Sequence, residues 1–245
     1  MTALGFLYPG HSAEDDYPRM EQLLGSDVRL AVVHTDIGED AQRVGTLREM
    51  GSAERLAAGV QELRLTGAEA AVWACTSGGF VHGWDGAHEQ VRALARTAGM
   101  PASSTSFAFA HALAAEGARR VAVAATYPEE VAALFGEFLA AAGFEVVSLH
   151  AGGARTAAEV GTWGATEVLE LARAADVPEA EVLLLPDTAL HTVAHLPLLE
   201  RELGKTVLTA NQVTAWEGLR LAGRRVNAPS LGALFTREPI VQARE

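Results

Sequence analysis

The chain has one cysteine, Cys75, and one lysine, Lys205, in 245 residues. A lone thiol excludes an intrachain disulfide framework. Aromatic residues make up only 6% of the sequence, and no basic patch with interleaved aromatics occurs, so nucleic acid is not an expected partner. Positive charge is scarce overall: the formal net charge is −12, read as a solvated surface favouring solubility rather than as a sign of cationic substrates. No apolar run reaches membrane-spanning length, so no membrane partner is expected. The N-terminus lacks the basic and long apolar regions of a signal peptide, which makes the cytoplasm the expected location. Neither G-x-G-x-x-G nor a Walker sequence is present, which disfavours a Rossmann dehydrogenase or a phosphate-loop NTPase.

The chain is instead rich in apolar residues, 49% of the total, with 24 glycines and many alanines, a composition suited to helices packed tightly on parallel sheets. Short apolar runs ending in turn residues alternate with helical periodicity. Strands are predicted over 4–8, 28–34, 70–74, 121–125, 144–149, 182–185 and 206–209, with helices between them. Gly51-Ser52 interrupts the polar stretch 40–65, and residues 100–105 read as a break. Gly152-Gly153 and Gly161 to Gly164 bracket a loop expected to be mobile. Repeated β-then-α units imply right-handed parallel α/β layers.

Cys75 sits where a buried strand, Val72-Trp73-Ala74, gives way to Thr76-Ser77-Gly78-Gly79. That is the carboxyl end of a strand, where open α/β sheets bind ligands. The two glycines are expected to let the backbone turn sharply. The halves of the chain also echo each other. Tyr8-Pro9 matches Tyr127-Pro128 at an offset of 119, and Cys75 matches Asp187 at an offset of 112. A near-constant offset implies an internal duplication, which would bring Cys75 and Asp187 to one cleft between two lobes.

At these residues the sequence resembles the aspartate/glutamate racemase superfamily, in particular the maleate cis–trans isomerase and arylmalonate decarboxylase branch. The resemblance rests on Tyr8-Pro9, Cys75-Thr76-Ser77, Tyr127, Pro186-Asp187-Thr188, Gly204-Lys205-Thr206-Val207 and Asn211-Gln212. It implies two pseudo-symmetric flavodoxin-like lobes with parallel sheets, a small anionic carboxylate in the cleft between them, and no metal or organic cofactor. The lobes are expected to comprise residues 1–103, completed by 213–245, and residues 104–212. Homo-oligomerisation is left open. The family commonly places a thiol from each lobe beside the substrate, whereas arylmalonate decarboxylases keep only the second. Here the first is Cys75 and the second position holds Asp187.

The expected activity is a cofactor-independent isomerase or racemase for a small carboxylate or dicarboxylate. Cys75 would serve as nucleophile or base and Asp187 as the opposed acid or base. A malonate-type decarboxylase is the alternative enzyme, and a degenerate carboxylate-binding protein is the non-catalytic one. The thiolate form of Cys75 would need a pKa below the usual value of about 8.5. Pro9, His11, Thr76, Ser77, Tyr127 and Thr188 are the candidate substrate-binding residues. Thr76 and Ser77 read equally as helix caps, Tyr127 as a packed aromatic, and Asp187 as the N-cap of the next helix. His191 and His195, four apart, have a spacing that can bind metal but lack a third ligand nearby in sequence.

Overall fold

A computed structural model describes residues 1–236. Four strands form the first sheet: β1 (Thr2–Pro9), β2 (Val28–Thr35), β3 (Ala70–Trp73) and β4 (Ala102–Ser104). They lie in the order β2-β1-β3-β4, all parallel. The second sheet repeats this plan with β5 (Arg120–Ala125), β6 (Glu145–Ala151), β7 (Val182–Leu185) and β8 (Thr206–Thr209), in the order β6-β5-β7-β8. The identical strand order is the structural counterpart of the matched words in the sequence. β3 and β7 occupy corresponding inner positions, and every residue of both is buried. Helices on both faces explain why these strands read as unbroken apolar runs and not as alternations.

The lobes share a core. Phe80, just after the cysteine turn, packs 5.1 Å from Phe135 and 5.7 Å from Tyr127 of the second lobe. The helix Ala210–Leu221 follows β8 but packs on β1, β3 and β4 of the first sheet. Gly218 permits that approach, since a Cβ there would meet Leu4 and Phe6 at 3.2 Å. Thr105 and Thr214 share a hydrogen bond of 2.6 Å beneath this helix. Of the terminal segment expected to complete the first lobe, residues 237–245 lie outside the described residues. Among the described residues no helix is long and apolar enough to cross a membrane.

Two local readings change. Ala102–Ser104, taken as a break, forms the short edge strand β4, paired to β3 through Trp73 and Ser104. Polar composition conceals a strand of three residues whose role is to lead into the helix Thr105–Glu116, which Ser104 caps by accepting from Phe107 N–H. Gly78-Gly79 does not make a sharp turn; Ser77–Phe80 is one turn of helix, and neither glycine has positive φ. Both glycines are explained by close packing. A Cβ on Gly79 would lie 2.5 Å from Ser106 Oγ, and one on Gly78 would lie 3.2 Å from Cys75 Sγ.

Candidate active site

Cys75 follows β3 directly, and its side chain is buried. Gly78 N–H donates to Sγ at 3.2 Å, and the Ser77 hydroxyl lies 3.8 Å from the sulfur. These donors favour a thiolate, but burial opposes it more strongly. Desolvation, with a smaller contribution from the nearby Asp187 charge, pushes the Cys75 thiol up to about 12. This environment favours the protonated thiol, the form that can donate a proton.

Asp187 occupies the corresponding place after β7 and is also buried. Oδ1 accepts the Ala189 amide at 2.9 Å, and Oδ2 accepts the Thr126 hydroxyl. Burial raises the carboxyl above the ordinary aspartate value, against the pull of these two hydrogen bonds, and the charge of Asp40 adds to the rise. The Ala189 contact is a local turn bond of the kind expected for a capping aspartate, though no helix begins there: residues 186–192 are irregular. Capping alone does not account for the Thr126 bond from the neighbouring strand end.

Both residues line one cavity, together with Tyr8, Pro9, Ser77, Thr188 and Ala189. Its remaining wall is a cover formed by Ile37 and residues 39–42, by Thr46, Leu47 and Met50, and by Ala157 of the second lobe. No arginine, lysine or histidine is among these lining residues. A carboxylate entering the cavity would have hydroxyls and backbone amides as its donors and would share the space with the carboxyl groups of Glu39, Asp40 and Asp187.

The cover is tied across the cleft. Asp40 accepts from the amides of Ala157 at 2.7 Å and Ala158 at 3.0 Å, and Gln42 N–H donates to the Arg155 carbonyl at 2.8 Å. Ser12 Oγ donates to the Ala157 carbonyl at 3.1 Å. The segment read as a glycine-bracketed loop thus contains a helical turn, Ala157–Val160, pinned by the first lobe.

The other candidate residues separate into three groups. Pro9, Ser77 and Thr188 line the cavity. Thr76 and Tyr127 are buried behind it: Tyr127 donates to the Pro186 carbonyl at 2.9 Å, which fixes the chain one residue before Asp187. Thr76 does not cap a helix with its side chain, and its Oγ1 is buried without a partner. His11 lies outside the cavity lining, exposed, with Nδ1 3.0 Å from Glu14 and its ring tilted against that of His34 at a centroid distance of 4.0 Å. His191 pairs with Asp15 at 2.8 Å, and the pair His191/His195 forms no ligand cluster among the described residues.

Several site residues were missed. Tyr8 served as a sequence landmark, yet its hydroxyl reaches the site loop of the other lobe, donating to the Thr188 carbonyl at 2.8 Å. Asn211 braces the same loop, donating from Nδ2 to Thr188 O at 3.2 Å and to the buried Asp16 at 3.1 Å. The duplicated Tyr-Pro words were the available signal for Tyr8. The cover residues Asp40 and Gln42 carry no comparable signal, because their partners lie more than a hundred positions away.

Comparison with known proteins bears on the family and the fold. The family model for arylmalonate decarboxylase matches residues 48–235. Arylmalonate decarboxylase of Bordetella bronchiseptica is 34% identical over 148 residues, 58% of this chain. The match spans 61% of that protein's length. A liganded arylmalonate decarboxylase carrying glycine-to-cysteine and cysteine-to-serine substitutions superposes with a TM-score of 0.84 at 24% identity, over 96% of this chain and 99% of that one. The maleate cis–trans isomerase of Nocardia farcinica, a cysteine-to-serine mutant with a covalently bound succinylcysteine intermediate, gives a TM-score of 0.88 at 23% identity, over 97% and 99% of the two chains. These structures share the two-lobed α/β fold.

Proposed function

Because the chain belongs to the arylmalonate decarboxylase family, we propose that it is a cofactor-independent isomerase or racemase that transfers protons at the carbon beside a carboxylate. The observation that carries this reading is that Cys75 and Asp187, from corresponding strand ends of the two lobes, line one cavity. Two proton-transfer groups, one from each lobe, are what inversion of a carbon requires; a single-sided reaction needs one. The substrate is a small carboxylate or dicarboxylate.

In the forward direction the Asp187 carboxylate takes the proton from carbon. The C–H electron pair spreads onto the substrate carboxylate as an enolate, and the Cys75 thiol delivers its proton to the other face. The products of the step are a protonated Asp187 and a Cys75 thiolate. The Gly78 amide and the Ser77 hydroxyl stabilise that thiolate. The raised carboxyl of Asp187 makes it a stronger base than an exposed aspartate. Ser77 and the amides around Thr188 are the donors assigned to the enolate oxygens.

Decarboxylation is the second reading, favoured by the family model and the Bordetella bronchiseptica relative. The bond to carbon dioxide would break, its electrons would form the same enolate, and Cys75 would protonate the carbon. The readings separate when the protein is incubated in deuterated water with maleate, with aspartate and glutamate, and with arylmalonates. Deuterium entry with loss of optical activity supports this proton transfer at carbon, whereas conversion of maleate to fumarate would require Cys75 to add to the double bond as a thiolate and would replace the step written here. Carbon dioxide release with one deuteron gained refutes it in favour of decarboxylation. Inertness towards all of them, with tight carboxylate binding, would leave a binding protein.

A further inference from the structure

The cover of the cavity carries a polar side chain that this chemistry leaves unused. Gln42 is only 8% exposed and lines the same cavity as Cys75 and Asp187. Its Oε1 is sealed from solvent and has no hydrogen-bond partner. Among the described residues, it is the one such unpartnered side-chain atom that belongs to a wall of this cavity. Its companions in the cover include the apolar side chains of Ile37, Leu47 and Met50. The side chain also starts from a fixed point, because the Gln42 amide is bonded to Arg155 of the other lobe at 2.8 Å.

A buried amide oxygen without a partner is penalised until something supplies the missing hydrogen bond. Resting on the assignment of this cavity to a small carboxylate, we infer that Gln42 determines specificity by hydrogen-bonding a hydroxyl carried on the reacting carbon. The preferred substrates are then 2-hydroxy dicarboxylates and their close analogues, in preference to diacids with a hydrocarbon or aryl group at that position. A hydroxyl suits either orientation of the amide, donating to Oε1 or accepting from Nε2. Discrimination follows because an analogue lacking the hydroxyl leaves the amide buried and unpaired.

Tartronate and methylmalonate test this directly, since they differ by a hydroxyl against a methyl of nearly equal size on the same carbon. Binding is read by titration calorimetry of the full chain, and protection of Cys75 from alkylation locates each probe in the cavity. The wild-type protein should bind tartronate at least about tenfold more tightly than methylmalonate, the scale of one hydrogen bond to a buried group. Gln42→Leu, of similar volume, should bring the ratio to about one, and Gln42→Glu should weaken both diacids by placing an anion beside them. Equal binding of the two probes by the wild type, or an unchanged ratio in Gln42→Leu, overturns the inference while leaving the carboxylate cavity intact. Failure of both diacids to protect Cys75 in the wild type overturns the carboxylate assignment and the inference with it. The wild-type ratio decides the matter even where a variant does not fold.

Discussion

The Tyr8 hydroxyl donates to the Thr188 carbonyl at 2.8 Å and accepts the Ala13 amide at 2.9 Å, so a residue at the end of β1 holds the opposite lobe's loop beside Asp187. Tyr8 is fully buried, which removes water as a substitute partner. Tyr8→Phe should destabilise the protein by roughly 1–3 kcal/mol, the range for buried partners left unpaired. Urea unfolding measures it. A loss within error of zero would mean that the two lobes do not depend on this link.

The second prediction concerns pH. The Cys75 thiol is pushed up to about 12 by burial, whereas an unfolded cysteine titrates at about 8.5. A raised folded pKa contributes stability that is fully present below the unfolded value and is lost as pH rises towards the folded one. Wild-type stability should therefore fall between about pH 8.5 and 12 more than that of Cys75→Ala, whose buried side chain does not titrate. Alkylation of the folded protein at pH 7.5 should be far slower than that of free cysteine and should accelerate with alkali. Fast stoichiometric alkylation at neutral pH would mean that Cys75 rests as a thiolate and acts as base or nucleophile.

The third concerns the cover. Asp40 takes two amide hydrogens of the turn Ala157–Val160. Hydrogen bonds to a charged group contribute roughly 1.5–3 kcal/mol each. Asp40→Ala should raise hydrogen exchange at Ala157 and Ala158 by at least about tenfold. It should also increase KM more than it lowers kcat, because Cys75 and Asp187 stay in place and Asp187 loses only the smaller push that the Asp40 charge gives its carboxyl. Unaltered exchange would show that Gln42 and Ser12 hold the cover without it.

The sheets were legible because buried parallel strands leave a direct mark: Val182 to Leu185 and Val121 to Ala125 are apolar runs cut off by turn residues. The placement of Cys75 and Asp187 followed from the repeat, since equal strand orders bring equal strand ends to one cleft. β4 was not legible, because Ala102-Ser103-Ser104 is too short and too polar to show periodicity. His11 was read into the site from its proximity to Tyr8-Pro9, but the chain turns outward at Gly10, whose φ is 63°, and leaves the imidazole in solvent. The cover was invisible for a physical reason: Asp40 meets Ala157 through backbone amides, and a backbone partner imposes no residue type. The thiol's direction of shift was also beyond sequence, as it depends on how completely packing excludes water from the sulfur.

In the proposed reaction Asp187 works with Cys75 as the second proton-transfer group. Asp187→Asn keeps an oxygen for the Ala189 amide and a polar group for Thr126, while removing the titratable carboxyl. The measurement is kcat for Asp187→Asn on the substrate that the deuterium experiment identifies, alongside its thermal unfolding. A fall of at least about a hundredfold is expected, the usual contribution of a general acid or base, with stability nearly unchanged. A turnover number close to that of the wild type would contradict it and leave Cys75 as the sole catalytic group.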